Sequence, residues 1–191
     1  MKHFLFLAVS LVACGKSGGG GKAAPAVKID AAAVNALVPA ELKDKLVFEQ
    51  RDILEERGHD VVTFTIAAPK SWEQQGKMFA KVKPKESELF MTSFDVGTNC
   101  DGTCEAKDWA KTSEKVNFAQ FRDGKIVKDE LGKTSHLMIA EKSGTTYVVY
   151  AWWTEGARKY ASCTASLEAP VAAAAPAFAK ACEAVGIKGD N

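Results

Sequence analysis

The sequence predicts an α+β domain in which helices pack on an antiparallel sheet. Apolar and polar residues alternate in short runs, of which Asp60 to Ala68 is the clearest, and this period of two indicates half-buried strands. Helical patterns occur near the start, in the middle and at the end of the chain. Consecutive strands with segregated helices are typical of α+β folds, whereas strictly alternating strands and helices indicate a parallel sheet.

Size and composition indicate one globular domain. The chain has 191 residues, and 47% of them are hydrophobic, which is enough for a core. We expect a signal peptide at 1–13, a lipidated cysteine with a Gly-rich tether at 14–27, and a single α+β domain at 28–191. Of 25 Lys and Arg residues, Lys2 lies in the signal, which leaves 24 against 24 Asp and Glu. No basic stripe is interleaved with aromatics, so nucleic-acid binding is not expected.

The start of the chain resembles the signal peptide of bacterial lipoproteins. A positive Lys2 precedes an apolar run from Phe4 to Ala13, which is too short to span a bilayer as a mature helix. The run ends in Leu-Val-Ala-Cys, which is similar to the lipobox. The resemblance implies a diacylglycerol thioether on Cys14, cleavage after Ala13, and acylation of the new amino terminus, for example with palmitate. The alternative is an ordinary secretory signal with a stray cysteine.

The residues after Cys14 predict a tether and an envelope location. Residues 15–26 are rich in Gly, and as a flexible coil they would reach roughly 20 Å. In lipoprotein families where Asp after the lipidated cysteine retains the protein in the inner membrane, Gly15 implies passage to the outer membrane. We therefore expect a membrane anchor in the outer membrane, with the domain facing the periplasm or the cell surface.

Four further cysteines predict disulfide bonds, because an even count in an exported chain is typical of an oxidising compartment. Three pairings are open. We expect Cys100–Cys104 and Cys163–Cys182, because each pair is close in sequence and lies at an element junction. By chain entropy the second bond would contribute about 3 kcal/mol. The cysteines lack the spacing of a redox motif or of two zinc-binding pairs, so no metal is expected.

Local patterns place the elements along the chain. Asp30 is expected to cap a helix that Pro39 interrupts or restarts. The middle helix is expected to turn Trp109, Thr112, Ser113 and Val116 inward. The predicted strands lie at 46–54, 60–68, 77–82, 88–96, 135–141, 145–154 and 158–167. The predicted helices lie at 29–46, at 105–118, and after Pro170 or Pro176 up to a Gly186 cap. The predicted turns lie at 57–60, 83–87, 98–103, 123–124, 142–144 and 155–156.

One segment resembles a known family. A strand that runs into a Pro-x-x-Trp corner, from Phe64 to Trp72, is followed by strand pairs and by a terminal strand and helix. This outline is similar to the PsbP-like α/β sandwich. The resemblance implies an accessory or binding role and supplies no reaction. Disulfide bonds are not part of that family's general pattern.

Three residues of the aromatic and strand-rich part are candidate binding residues. Neighbouring Trp152 and Trp153 must face opposite sides of a strand, so that one can enter the core while the other is covered by a helix or lies on a binding face. His136 alternates with Met138 and Ala140 and is expected to be half-buried. We therefore select His136, Trp152 and Trp153.

No catalytic motif stands out in the sequence. His59 and His136 are the histidines that remain after the signal, and neither a Gly-x-Ser-x-Gly elbow nor a phosphate-binding Gly loop occurs. We therefore expect a non-catalytic binding or structural module with no cofactor. Its expected partners are the membrane, through the lipid, and an envelope protein or glycan.

Two alternatives remain open at this stage. The first is a hydrolase facing the periplasm that uses His136 with a carboxylate from the 95–108 region. The second is a calcium-dependent adhesion module, since this region is rich in oxygen ligands. The regular calcium-loop register fails, however, because Gly97 would occupy the first ligand position. The oxygen-bearing residues are Asp95, Asn99, Asp101, Glu105 and Asp108.

Overall fold

The computed structural model describes residues 28–57, 60–85, 91–100, 106–153 and 160–188. Within these ranges ten strands form two antiparallel sheets, and short helices pack against them. The predicted α+β class is confirmed. No helix among the described residues is long and apolar enough to cross a bilayer.

The first sheet has three strands in the order β1–β2–β10, and the second has seven in the order β3–β4–β5–β9–β8–β7–β6. The strands are β1 Phe48–Arg57, β2 Asp60–Pro69, β3 Glu73–Gln74, β4 Ala80–Lys83, β5 Ser93–Cys100, β6 Lys125–Leu131, β7 Ser135–Lys142, β8 Thr145–Trp153, β9 Tyr160–Glu168 and β10 Gly186–Lys188. The α-helices are α1 Ala31–Asn35, α2 Trp109–Ser113 and α3 Ala175–Glu183. Helix α2 belongs to a middle helical segment (106–121) that begins with a 3-10 turn and continues as π and 3-10 turns.

A large core lies between α3, α1 and the inner faces of both sheets. Phe178 of α3 is fully buried in it, and its ring contacts three other aromatic rings. The centroid distances are 5.0 Å to Phe48, 5.4 Å to Trp72 and 5.6 Å to Phe94. Such aromatic pairs contribute beyond their buried area, so Phe178 joins both sheets to the helix.

A disulfide bond fixes α3 to the seven-stranded sheet. Cys163 of β9 is bonded to Cys182 of α3, with Cα atoms 5.5 Å apart, as the sequence predicted. Both side chains are fully buried. The other predicted pair includes Cys104, which lies outside the described residues, so Cys100–Cys104 stays a prediction.

The opposite face of the seven-stranded sheet carries a small cluster under the middle helical segment (106–121). Its buried members come from that segment and from β7, β8 and β9. The residues of this small cluster are Phe118, Phe121, Met138, Ala140, Val149, Ala151 and Tyr160, with Tyr147 and Trp153 partly buried against it.

Side-chain amides cover the outer edge of β1. Asn35 exchanges two hydrogen bonds with the backbone of Phe48: its Nδ2 donates to the carbonyl at 2.8 Å, and its Oδ1 accepts from the N–H at 2.7 Å. Gln74 does the same at Leu54, at 2.6 and 3.3 Å. Each amide takes the place of a neighbouring strand, so this edge offers few free backbone groups.

The structure corrects several predicted boundaries. Strand β4 begins at Ala80, and the residues before it form the tip of the β3–β4 hairpin. Strand β5 continues to Cys100, where the sequence predicted a turn from Thr98. Gly186 opens strand β10 instead of only capping α3.

The middle helical segment differs from the predicted α-helix in its inner face. Val116 was expected to face inward, but it is half exposed, and Phe118 is buried instead. Residues 114–118 form a π turn, which has a wider repeat than an α-helix. The face that points to the sheet therefore shifts along the chain.

Candidate functional site

His136 lies on the face of the seven-stranded sheet that the middle helical segment covers. It alternates along β7 with Met138 and Ala140 of the small cluster, as predicted. Its side chain is buried more deeply than expected, with 3% of the residue exposed. The imidazole stacks on Phe118 with ring centroids 3.9 Å apart. The stacking fixes the plane of the ring, and its edge is left for polar contacts.

Asp129 of β6 is the carboxylate that binds His136, with 2.6 Å between its Oδ1 and the imidazole Nε2. The hydrolase alternative expected a partner from the 95–108 region. Asp95 instead lies on β5, where it accepts a hydrogen bond from Ser93 Oγ at 2.7 Å and pairs with Lys81 Nζ at 3.1 Å. The structure therefore brings His136 to Asp129 and not to Asp95.

A β-bulge directs Asp129 toward this face. Ile126 pairs with Ala140 and Asp129 pairs with Met138, so Ile126 and Asp129 both face the small cluster. In a regular strand, residues an odd number of positions apart face opposite sides. The register shifts between 126 and 128, and the extra residue is Val127. Without this bulge the Asp129 carboxylate would point to the other face of the sheet.

Arg122 joins Asp129 to a second carboxylate. Its Nε and Nη2 donate to the two oxygens of Glu114 at 2.9 and 2.7 Å, and its Nη1 donates to Asp129 Oδ2. Two-pronged guanidinium–carboxylate contacts are strong and directional. We call the continuous series Glu114, Arg122, Asp129 and His136 the ion network.

The ion network keeps its carboxylates ionised. Burial acts to raise the pKa of Asp129, but the hydrogen bonds from His136 and Arg122 outweigh it, so the pKa lies below its ordinary value. Hydrogen bonding to Arg122 lowers the pKa of Glu114 against a smaller effect of burial. The two carboxylates in turn raise the pKa of Arg122. At neutral pH the network therefore holds two negative charges around one guanidinium.

An open cleft of about 330 Å³ lies over the ion network. Its described lining contains no Ser, Thr, Cys or Lys that could act as a nucleophile beside His136. The Nε2 of His136 is already bound to Asp129. The arrangement is suited to holding a polar group of a ligand. The lining residues are Ala110, Glu114, Arg122, Asp129, Leu131 and His136.

A second cleft of about 390 Å³ lies on the other face of the sheet. It is lined by the carboxylates of Glu130 and Glu183 and by the ring of Tyr150. Tyr150 also stacks on Trp152, with ring centroids 5.4 Å apart. Leu131 lines both clefts. The lining residues of the second cleft are Glu130, Leu131, Gly132, Ser135, Leu137, Tyr150 and Glu183.

Between the two clefts runs the outer edge of β6. In the described part of the chain β6 pairs with β7 alone, and it ends the seven-stranded sheet. Nearly all of its residues are exposed, and Leu131 is 64% exposed where the clefts meet. The described residues place no amide side chain on this edge of the kind that Asn35 and Gln74 provide for β1.

The two candidate tryptophans face opposite sides of β8, as predicted. Trp152 packs against the large core and Trp153 against the small cluster, and each is half-buried. Neither is among the lining residues of the two clefts described above, whereas Tyr150 lines the second cleft. His136 therefore lines the first cleft, and Trp152 contributes to the second cleft through its stack on Tyr150.

The sequence pattern does not predict strand β6 or the ion-network partners of His136. The sequence does contain one indication of this strand. The run Lys125–Leu131 lies between Gly124 and Gly132, and its Ile and Val residues favour a strand. Its alternation is broken by the bulge, so the pattern does not repeat with a period of two. Arg122 and Glu114 become neighbours of β6 only through the path of the middle helical segment.

No group of three or more His, Cys, Asp or Glu side chains is placed to hold a metal ion within the ranges that the structure describes. The calcium alternative depends on Asp101 and Glu105, which lie outside those ranges. Asp95 is held by Lys81 on β4.

Comparison with protein-family models, with curated proteins and with solved structures finds no match to this chain. The similarity to the PsbP-like sandwich and to bacterial lipoproteins therefore stays a prediction from the sequence.

Proposed function

We propose that this chain is a lipid-anchored, non-catalytic module of the bacterial cell envelope that binds an extended polypeptide along β6. The proposal is supported by the edge of β6, which no strand among the described residues covers, and by a cleft on each of its faces, both of which reach Leu131.

The contrast between two strand edges supports this role. An uncovered edge is a hazard for a soluble domain because it can pair with another chain. The edge of β1 is covered by the amides of Asn35 and Gln74, as described above. The edge of β6 has a bulge and two lysines, Lys125 and Lys128, that discourage pairing in its first half. Its second half, next to the clefts, is the part suited to a partner.

An added strand would use both clefts at once. A peptide that extends a sheet gains affinity from backbone hydrogen bonds and specificity from pockets for alternate side chains. Successive side chains of such a peptide point to opposite faces. One would enter the cleft over the ion network, and the next would enter the cleft beside Tyr150.

A glycan is a second candidate ligand, carried by one observation. The stacked pair Tyr150 and Trp152 lies beside the carboxylates of Glu130 and Glu183. Aromatic faces can pack on sugar rings while carboxylates accept hydrogen bonds from hydroxyl groups. This arrangement concerns one cleft, whereas the peptide proposal uses both.

The membrane anchor of the proposal rests on the sequence at 11–14. Intact-mass spectrometry of the membrane-extracted protein tests it, and we expect a chain that starts at Cys14 and carries lipid. The Cys14→Ala variant should lose the lipid and leave the membrane fraction. A variant that still sediments with membranes would show that the lipobox interpretation is wrong.

A peptide selection tests the β6 edge. Short random peptides displayed on phage are selected on the purified protein, and the selected peptides are assayed with Leu131→Lys and with Leu37→Lys. Leu37 is an exposed leucine beside α1, so it serves as the matched control. We expect Leu131→Lys to weaken binding at least tenfold and Leu37→Lys to leave it unchanged.

Hydrogen exchange locates the bound peptide, because backbone amides of β6 should exchange more slowly in the complex. Peptides that bind both variants equally and protect another region would overturn the proposal. Oligosaccharides that bind in a manner dependent on Trp152, together with no peptide binding, would establish the glycan candidate instead.

A further inference from the structure

The β3–β4 hairpin has a well-defined tip at the opposite end of the seven-stranded sheet from β6. Gly76 adopts a positive φ of 67° at the turn. The backbone N–H of Gln75 donates to the Lys81 carbonyl at 2.9 Å, and that of Lys81 donates to the Phe79 carbonyl at 2.8 Å. These bonds close the loop and hold the residues between them at the surface.

Three bulky apolar side chains are exposed at this end of the molecule. Met78 is 68% exposed, Phe79 is 59% and Val61 is 58%. The ends of the β1–β2 hairpin and the β3–β4 hairpin are joined by a hydrogen bond from the Glu56 N–H to the Lys77 carbonyl at 2.7 Å. Glu56 of β1 in turn pairs with Val61 of β2. We call Val61, Met78 and Phe79 the apolar tip. Single exposed apolar residues are common, but several together mark an interaction site.

The segment that carries Met78 and Phe79 is rich in lysine. Residues 77–85 contain four lysines and no acidic residue, in a chain whose charges are balanced overall. Lys77 pairs with Glu56 at 3.2 Å and Lys81 with Asp95 at 3.1 Å. Ion pairs at the surface are weak and are screened by salt. These lysines can therefore exchange their protein partners for phosphate groups.

We propose that the apolar tip inserts into the headgroup region of an anionic phospholipid bilayer, with Lys77 and Lys81 on the lipid phosphates. Apolar side chains flanked by basic residues are the combination that binds such surfaces. This inference rests on the proposed lipid anchor in one respect: the anchor keeps the domain at the bilayer, so a weak contact suffices.

The contact would orient the whole domain. Six strand spacings of about 4.8 Å separate β3 from β6, which is roughly 29 Å. Insertion of the apolar tip would place β3 at the bilayer, and the free edge of β6 would project away from it.

A tryptophan at the tip reports on insertion. The mature, lipidated protein is reconstituted into vesicles of phosphatidylethanolamine and phosphatidylglycerol with brominated acyl chains, which quench tryptophan by contact. We expect the fluorescence added by Phe79→Trp to be quenched at least twofold, and the fluorescence added by Leu131→Trp at the opposite end to be unchanged. Equal quenching of both, or of neither, would overturn the proposal.

The charge requirement has its own control. Lys77→Gln with Lys81→Gln should remove most of the quenching at position 79, as should vesicles of phosphatidylcholine alone. The pair Lys125→Gln with Lys128→Gln removes the same charge from β6 and should have no effect. Quenching that is insensitive to the first pair would contradict the electrostatic part.

The absence of a lipid anchor can be distinguished from the absence of tip insertion. A protein without lipid would be held by the weak tip contact alone, so it would not stay with vesicles that float through a density gradient. A protein that floats without quenching at position 79 would be anchored but not docked, and this result would reject the inference alone.

Discussion

The two faces of the seven-stranded sheet differ in what holds them together. On one face, α3 and the three-stranded sheet bury the large core around Phe178, and the bond between Cys163 and Cys182 closes it. On the other face, the small cluster is bordered by the ion network of Glu114, Arg122, Asp129 and His136. The first face is built for stability, whereas the second combines modest apolar burial with charges that open to a cleft.

The largest expected effect is a loss of stability from core substitutions, and it should differ between the two faces. Phe178→Ala should lower the free energy of unfolding by about 4 kcal/mol, because it removes a ring that contacts three others. Phe118→Ala should lower it by about 3 kcal/mol, since its cluster is smaller. Urea unfolding followed by circular dichroism measures both. A larger loss for Phe118→Ala would mean that the small cluster, and not the large core, contributes more to stability.

The disulfide bond should come next in size. Cys163→Ser and Cys182→Ser should each lower the free energy of unfolding by about 3 kcal/mol. The double variant should lose little more than either one, because each substitution already removes the whole bond. Thermal unfolding under non-reducing conditions checks this expectation. Additive losses would show that the two side chains contribute separately.

A smaller effect is expected for the pair Glu114 and Arg122. A double-mutant cycle with Glu114→Gln and Arg122→Gln should give a coupling of about 0.5–1 kcal/mol, because the contact is two-pronged but more than a third exposed. The same cycle at Glu73 and Lys85, a more exposed single contact, should give close to zero. Equal couplings would mean that the ion network adds nothing beyond an ordinary surface pair.

The smallest expected effect is a pH dependence on the ion-network face. The pKa of Asp129 is lower in the folded state, so its ionised form adds stability above its unfolded value of about 4, and this contribution is lost as the pH falls through the lowered folded value. Asp129→Asn should therefore flatten the loss of stability below about pH 4 by less than about 1 kcal/mol. Asp44→Asn, an exposed control, should leave the profile of urea midpoints unchanged. If the pH profile of urea midpoints is unchanged in Asp129→Asn, the ionised carboxylate of Asp129 does not contribute to stability.

The large-core face could largely be predicted from the sequence, and the ion-network face could not. Alternation in Asp60–Ala68 predicted β2, and Val62, Phe64 and Ile66 are all buried as expected. The cysteine spacing predicted the bond at Cys163, because the elements that it joins follow each other along the chain. Each of these patterns is regular and local.

The ion-network face depends on irregular backbone. The bulge at Val127 reverses the direction of Asp129, and the π turn at 114–118 turns Val116 outward. Both features insert an extra residue into the regular repeat of a strand or a helix, so a prediction from hydrophobic periodicity does not detect them. Strand β10 was missed for another reason: it has three residues, which is too short for an alternation.

The pairing of β10 with β2 has a consequence for how the chain folds. Gly186 pairs with Thr65, and Ile187 with Phe64, so β10 adds the third strand to the sheet that β1 and β2 begin. Pairings between distant segments form slowly, because a long loop must close before they contribute. As the chain is synthesised from its amino terminus, β2 therefore keeps one open edge until residues 186–188 have emerged from the ribosome. A ribosome that stalls before residue 186 would leave a nascent chain whose first hairpin can still join a neighbouring molecule.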